Sequence, residues 1–128
     1  MRIRLSSISL FALAVFISSG CSNPSTSLFH SITFKVSATN GVTAAVDINY
    51  SDTDSTVHSL ANVALPWTLT VSMPVTQEQN SIGLSAQAMA PSSGSVLTAT
   101  ISDDGVQVAT RSDPESGIYM SIDLETLI

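Results

Sequence analysis

Hydrophobic and polar residues alternate along most of this chain with the two-residue period that is typical of β-strands. The stretch 65–71, Leu-Pro-Trp-Thr-Leu-Thr-Val, organises the rest because it holds the only tryptophan. From Trp67 onward, apolar side chains occupy one face and hydroxyl side chains the other. The pattern predicts a central strand whose indole fills the middle of a β core.

Five residues form the expected structural core motif: Leu65, Pro66, Trp67, Leu69 and Val71. Pro66 has no N–H for a strand ladder, so we expect the strand to begin there. The alternative is that this strand forms one wall of a ligand-binding site. Packing in the core is the favoured interpretation.

Seven more segments have strand-like alternation, and turn-forming residues separate them every eight to twelve positions. The segment 56–62 has a weak pattern and is expected at a sheet edge. The whole pattern predicts one all-β domain, an antiparallel β-sandwich of about seven to eight short strands. The segments are 28–36, 42–50, 56–62, 81–89, 96–102, 106–110 and 118–124.

Alternate apolar residues in these segments are expected to face the core. Asn40-Gly41 predicts a hairpin turn between the first two strands, because this pair accepts positive φ. Asp103-Asp104-Gly105 predicts a second tight turn. The inward positions are Leu28, His30, Ile32, Phe34, Val36, Val42, Ala44, Val46, Ile48, Tyr50, Ile82, Leu84, Ala86, Ala88, Leu97, Ala99, Ile101, Ile118, Met120, Ile122 and Leu124.

The first 20 residues have the features of an export signal peptide. Arg2 and Arg4 precede a compact apolar run over 8–17, which is shorter than the about 20 residues of a membrane span. Small residues then lead to Cys21. This resembles a bacterial lipobox, although Ser18 stands where Leu is usual, and it predicts that Cys21 is diacylated and becomes the new N-terminus. An ordinary signal peptide with an incidental cysteine is the alternative.

Cysteine use supports the lipidation of Cys21, because a lone cysteine in an exported chain has no internal disulfide partner. Two or more acyl chains, such as palmitate, anchor stably at ~0.8 kcal/mol per buried CH₂. Ser22, rather than Asp, resembles the sorting pattern for an outer membrane, if the bacterium has one. We therefore predict a lipoprotein signal peptide over 1–20, a tether over 21–27 and a β-sandwich domain over 28–128.

Charge excludes one class of partner. Without the signal peptide, Lys35 and Arg111 are the only basic side chains beside the two histidines, against ten acidic ones, a formal charge of −8. Such a domain lacks the basic surface that phosphate backbones require, so nucleic-acid binding is excluded. For the same reason we do not expect it to lie flat on anionic lipid.

Little in the mature chain points to catalysis, to a cofactor or to a metal. It has no Gly-x-Ser-x-Gly motif and no free cysteine, so we predict no enzyme and no catalytic residue. We expect His30 to be half-buried and hydrogen-bonded, and His58 to be solvated. The acidic segments 52–54 and 103–104 could offer oxygens to Ca²⁺, but Asp is also a standard turn residue. Turns are the favoured interpretation.

Four pieces, in this order and at similar spacing, resemble the extracytoplasmic domain of the MmpS family, the small mycobacterial membrane proteins that act as transport accessories. The resemblance covers roughly 32–122, and the Leu-Pro-Trp strand is its most specific part. The pieces are Ile48-Asn49-Tyr50, the stretch 65–71, Ala86-Gln87 and the stretch 101–105.

The resemblance implies an immunoglobulin-like β-sandwich outside the cytoplasm and partnership with an RND-type exporter of lipids or siderophores. Family members usually have a transmembrane helix where this chain has Cys21. They often carry a late cysteine pair, whose equivalents here are Ala99 and Met120; a small residue facing a flexible one fills a similar volume. We therefore expect a lipid-anchored accessory or binding domain of the cell envelope. The alternative is a structural or interaction lipoprotein of the envelope with no transport role.

Overall fold

The computed structural model describes residues 29–52, 54–74, 79–114 and 118–128. That part of the chain contains eight β-strands and no helix. The predicted signal peptide, the tether with Cys21, and Leu28 lie outside it. The strands are β1 (Phe29–Ala38), β2 (Ala44–Ser51), β3 (Val57–Ala64), β4 (Trp67–Pro74), β5 (Ser81–Met89), β6 (Val96–Asp103), β7 (Val106–Pro114) and β8 (Tyr119–Leu127).

The strands form two four-stranded sheets in which all paired neighbours are antiparallel. The strand order is β4-β1-β6-β7 in sheet A and β3-β2-β5-β8 in sheet B. Two pairs of consecutive strands are neighbours, β6 with β7 in sheet A and β2 with β3 in sheet B. The other described connections pass from one sheet to the other. This arrangement confirms the predicted antiparallel β-sandwich.

One hydrophobic core lies between the sheets and takes residues from both. The alternation of β1, β5 and β6 is as predicted, with the apolar row buried and the intervening residues more exposed. Ala99 of β6 and Met120 of β8 are both fully buried, on strands of opposite sheets. These two positions therefore face the core, as predicted.

The tryptophan strand is an edge strand, so the prediction that it is central was wrong. β4 pairs with β1 and is the terminal strand of sheet A. Its alternation is as predicted, but Trp67, Leu69 and Val71 are half-buried, and Pro66 is exposed. The physical reason is the short corner between β3 and β4, which carries the chain from the edge of one sheet to the edge of the other.

The turn between β1 and β2 has the predicted conformation but joins strands of different sheets. Asn40 and Gly41 have φ values of 53° and 85°. The predicted hairpin was nevertheless wrong, because β4 and β6 occupy the two sides of β1. Turn chemistry fixes local dihedral angles, whereas the partner strand depends on distant segments.

The inward face of β2 also departs from the prediction. Ala45 is buried, whereas Ala44 and Val46 are exposed. Across the ladder, Asn62 of β3 has a left-handed φ of 53°. A residue in this conformation disturbs the regular pleat, so the face that meets the core changes within the strand.

The predicted inward position of Ile118 was wrong as well, because this side chain is exposed. Ile118 lies just before β8, and the paired residues of that strand begin at Tyr119. The strand therefore begins one residue later than the pattern indicated, and its buried row starts at Met120 with the predicted alternation.

Candidate functional site

The two sheets are joined by a short corner at one side of the sandwich. β3 and β4 are edge strands of different sheets, and Leu65–Pro66 links them. The Leu65 N–H donates to the carbonyl oxygen of Thr43 at 2.9 Å, which ties the corner to the chain before β2. The Leu65–Pro66 peptide bond is cis. The ends of β3 and β4 that are remote from this corner flank a cleft.

The cleft lies between the second half of β4 and the loop that joins β2 to β3, and its volume is about 270 Å³. Apolar side chains supply part of the lining, and two carboxylates, an imidazole, a serine and a tyrosine supply the polar part. An apolar surface with a few polar groups is typical of binding sites. The lining residues are Tyr50, Asp52, Asp54, His58, Val71, Ser72, Met73 and Pro74.

Aromatic rings connect this cleft to the core. Tyr50 is stacked on His58, with ring centroids 4.8 Å apart and an interplanar angle of 16°. The same ring lies 5.3 Å from the buried ring of Phe34 and 6.1 Å from the indole of Trp67, both tilted. Such tilted pairs stabilise beyond the area that they bury. Tyr50 is therefore held on several sides and presents a fixed surface to the cleft.

The acidic rim of the cleft is a structured loop. The N–H groups of Asp54 and Thr56 donate to Asp52 Oδ1 at 3.1 and 3.2 Å, and His58 Nε2 donates to Asp52 Oδ2 at 3.0 Å. The hydrogen bond from His58 is the largest cause that holds the pKa of Asp52 below its ordinary value, followed by partial burial in the opposite sense and then by the two backbone donors. Turn chemistry was thus the correct interpretation of Asp52.

The prediction that His58 is simply solvated was incomplete. Its side chain is 42% exposed, yet it is both hydrogen-bonded to Asp52 and stacked on Tyr50. These contacts bring together residues of β2, of the following loop and of β3. The sequence shows each of them separately but does not show that one imidazole contacts both.

The opposite side of the sandwich, where β7 and β8 are the edge strands, has side chains that bridge the sheets. The Ser121 N–H of β8 donates to Asp113 Oδ2 of β7 at 2.9 Å. Arg111 Nη1 of β7 donates to the carbonyl oxygen of Asp123 of β8 at 3.2 Å. Side chains of one edge therefore satisfy backbone groups of the other, and this side is closed.

His30 is half-buried and hydrogen-bonded, as predicted. Its Nδ1 donates to Asp103 Oδ1 at 2.9 Å and lies 3.8 Å from Asp104 Oδ2. His30 is paired across the ladder with Met73 of β4, which also lines the cleft. His30, Asp103 and Asp104 thus lie at the same end of the sandwich as the cleft, the end at which β1 begins.

The hypothesis that the tryptophan strand forms a binding wall gains support from this geometry, because Val71 and Met73 line the cleft. Leu65, Trp67 and Val71 also pack against the core from the edge. Sequence reasoning considered Asp52 and His58 separately, but it did not place them with Tyr50 in one cleft. The usable clue was Pro66, because proline near a strand is commonly a sign of an edge.

These features define a two-sheet β-sandwich domain with one closed side and one side that carries a cleft. The sequence matches the family described as Mycobacterium membrane protein over residues 14–125, so the chain belongs to that family. This match confirms the resemblance to the MmpS family and indicates a membrane or envelope location.

The family is one of membrane accessory proteins and is not a known enzyme class. A comparison with curated proteins found no match. Within the described residues, no helix has the length and apolar character needed to cross a membrane.

Proposed function

We propose that this protein is a lipid-anchored accessory domain of the cell envelope that binds an RND-type transport partner, or its lipid-like cargo, at the cleft between β3 and β4. The observation that carries the proposal is the position of the cleft. It lies at the end of the sandwich where β1 begins, and β1 begins at Phe29, eight residues after Cys21.

The short distance in sequence limits how far the domain stands from its anchor. Eight fully extended residues span at most about 29 Å. A diacylated Cys21 would therefore hold the cleft close to the membrane surface, where the periplasmic surface of a membrane transporter is within reach. The acidic loops at this end do not favour adsorption to anionic lipid, which leaves them free for a protein or cargo.

The chemistry of the cleft suits a binding role. Val71 of an edge strand supplies half-exposed apolar surface, the buried Met73 lies at its base, and the fixed ring of Tyr50 also lines the cleft. Edge strands also offer backbone groups to an added strand. Ser72 and His58 both line the cleft, but within the described residues the hydrogen bond of His58 goes to Asp52 and not to Ser72, so the geometry favours binding over catalysis.

The alternative is a structural envelope lipoprotein that has kept the sandwich without a transport role. The feature in its favour is the replacement of the family's cysteine pair by Ala99 and Met120, both fully buried. Deletion of the gene would then alter the envelope or adhesion while leaving the export of lipids and siderophores intact.

The test is site-specific photocrosslinking of the full chain in native membranes. A benzophenone amino acid replaces Ser72, an exposed residue that lines the cleft. The matched control places it at Thr110, an exposed residue of β7 on the closed side. We expect an RND-type exporter, identified by mass spectrometry, from the Ser72 position and not from Thr110.

A second variant, Cys21→Ala, tests the anchor, because it cannot be acylated. We expect it to lose labelling by an alkyne fatty acid and to lose most of the crosslink. Equal crosslinking from Ser72 and Thr110, or recovery of envelope components without an exporter, would favour the structural alternative.

A further inference from the structure

Three potential metal ligands meet at the start of β1, although they are distant in sequence. His30 is on β1, Asp103 ends β6, and Asp104 is in the turn that leads to β7. One ligand atom from each lies within 4.8 Å of the other two. His30 and Asp103 are about a quarter exposed, at 28% and 20%, and Asp104 is more exposed at 59%.

The spacing of these atoms is close to that of a small coordination sphere and somewhat wider at Asp104. Ligands at 2.0–2.2 Å from a metal, at angles between octahedral and tetrahedral, are separated from one another by about 2.8–3.6 Å. His30 Nδ1 lies 2.9 Å from Asp103 Oδ1 and 3.8 Å from Asp104 Oδ2. A small side-chain rotation would bring all three atoms around one ion, with the imidazole proton on His30 Nε2 so that Nδ1 is an unprotonated ligand.

The backbone holds Asp104 in place without using the oxygen that faces His30. The Asp104 N–H donates to the carbonyl oxygen of Ser31 at 2.9 Å, and the Ser31 N–H donates to Asp104 Oδ1 at 2.8 Å. Asp104 Oδ2 is the oxygen that lies toward His30. The turn is thus fixed to β1 through one carboxylate oxygen, and the second oxygen remains in position for a cation.

From this arrangement we propose that His30, Asp103 and Asp104 form a binding site for a divalent transition-metal ion of the Zn²⁺ type. One imidazole nitrogen and two carboxylates suit such borderline ions, whereas Ca²⁺ and Mg²⁺ prefer oxygen ligands alone. The two carboxylates balance the charge of the ion. With three protein ligands, water completes the coordination sphere.

The other histidine provides an internal comparison. His58 contacts one carboxylate, that of Asp52, whose Oδ1 already accepts two backbone N–H groups. That pair has the same residue types as His30 and Asp103, but among the residues that the structure describes it is not joined by a second carboxylate within reach of the imidazole. His58→Gln is therefore the matched control for the loss of a histidine near acidic residues.

The test is isothermal titration of ZnCl₂ into the full chain, purified in detergent and stripped with a chelator. We expect one Zn²⁺ per chain and a rise in the thermal unfolding midpoint with ZnCl₂, since the ion binds the folded state. CaCl₂ and MgCl₂ are expected to bind at least tenfold more weakly than ZnCl₂. CoCl₂ is expected to give a visible absorption band that ZnCl₂ removes.

Asp104→Asn is the decisive variant, because the amide oxygen still accepts the Ser31 N–H and Asn tolerates the positive φ of 48° at this position. We expect it to keep its fold by circular dichroism and to weaken Zn²⁺ binding at least tenfold, since even indirect support of a ligand contributes that much. His30→Gln is expected to do the same and to abolish the Co²⁺ band. His58→Gln is expected to change the affinity less than twofold.

Three results would each overturn the site. If Asp104→Asn binds Zn²⁺ as tightly as the unmodified chain, the Asp104 carboxylate is not a ligand. If His58→Gln and His30→Gln lower the Zn²⁺ affinity equally, the ion is attracted diffusely to an acidic surface and does not occupy this site. The absence of heat, midpoint shift and Co²⁺ band at millimolar metal would leave His30 and Asp103 as an ion pair alone.

Discussion

The two sides of the sandwich differ in how the edges of the sheets are completed. On the β7–β8 side, Asp113 and Arg111 reach across to backbone groups of the other sheet. On the β3–β4 side, the Leu65–Pro66 corner joins the sheets at one end, and a cleft of about 270 Å³ lies toward the other. Side chains thus close one side, while the described residues of the other side form a cleft, which is the surface that we propose for a partner.

Exposed edges of sheets are prone to pair with other chains, so each side needs some protection. The β7–β8 side is protected by the side-chain bridges themselves. At the cleft, Asp52 and Asp54 place negative charge beside the edge strands. We expect this charge to repel a second copy of the acidic chain more than it repels an apolar or basic partner.

The largest expected difference between the two sides is in core packing. Met120→Ala removes a fully buried side chain of β8, the edge strand of the closed side, and is expected to lower the free energy of unfolding by about 2–5 kcal/mol. Val71→Ala removes half-buried carbons at the cleft, and its expected cost is about 1 kcal/mol. Urea unfolding followed by Trp67 fluorescence measures both. Similar costs would mean that the cleft side is packed as tightly as the closed side.

Removal of the hydrogen bond between Asp113 and Ser121 should lower the stability of the closed side. Asp113→Ala removes the acceptor of the Ser121 N–H and is expected to cost about 1 kcal/mol. Hydrogen exchange at the Ser121 amide should accelerate severalfold. Asp123→Ala is the control, because it also removes a carboxylate of this side but keeps the carbonyl oxygen that accepts from Arg111. Equal acceleration in both variants would contradict a specific bridge.

The smallest expected effect is the change in folding stability at acidic pH. Because the folded-state pKa of Asp52 lies below its unfolded value, its ionisation stabilises the fold above the ordinary Asp pKa of about 3.9. That contribution is lost as the pH falls through the lower folded pKa. Asp52→Asn should therefore be less stable than the unmodified chain at neutral pH, and the difference should shrink below about pH 3.9. Urea midpoints across this pH range test the sign, with Asp54→Asn as the control.

Sequence patterns alone predicted several features of the chain correctly. The strands at 81–89 and 96–102, the buried rows of β1, β5 and β6, the positive φ at Asn40-Gly41 and the tight turn at Asp103-Asp104-Gly105 were all predicted. These features follow from the two-residue period of a strand and from turn chemistry, and both depend on neighbouring residues only. The resemblance carried by the Leu-Pro-Trp strand led to the correct family.

The candidate sites were less predictable, because each assembles residues that are far apart in the chain. His30 meets Asp103 across 73 positions, and Tyr50 meets Trp67 only once β2 and β4 are placed in opposite sheets. The sequence identified His30 as a half-buried, satisfied histidine but gave no sign of its partner. It also identified the tryptophan strand but placed it at the centre of a sheet.

What the sequence determined by itself is therefore the set of strands, their apolar faces and the turns between them. What only the tertiary structure decided is how the strands divide between two sheets, which of them are edges, and which polar side chains meet at the edges. The physical reason is range: alternation and turn preference act between near neighbours, whereas sheet order depends on the simultaneous burial of apolar faces from the whole domain.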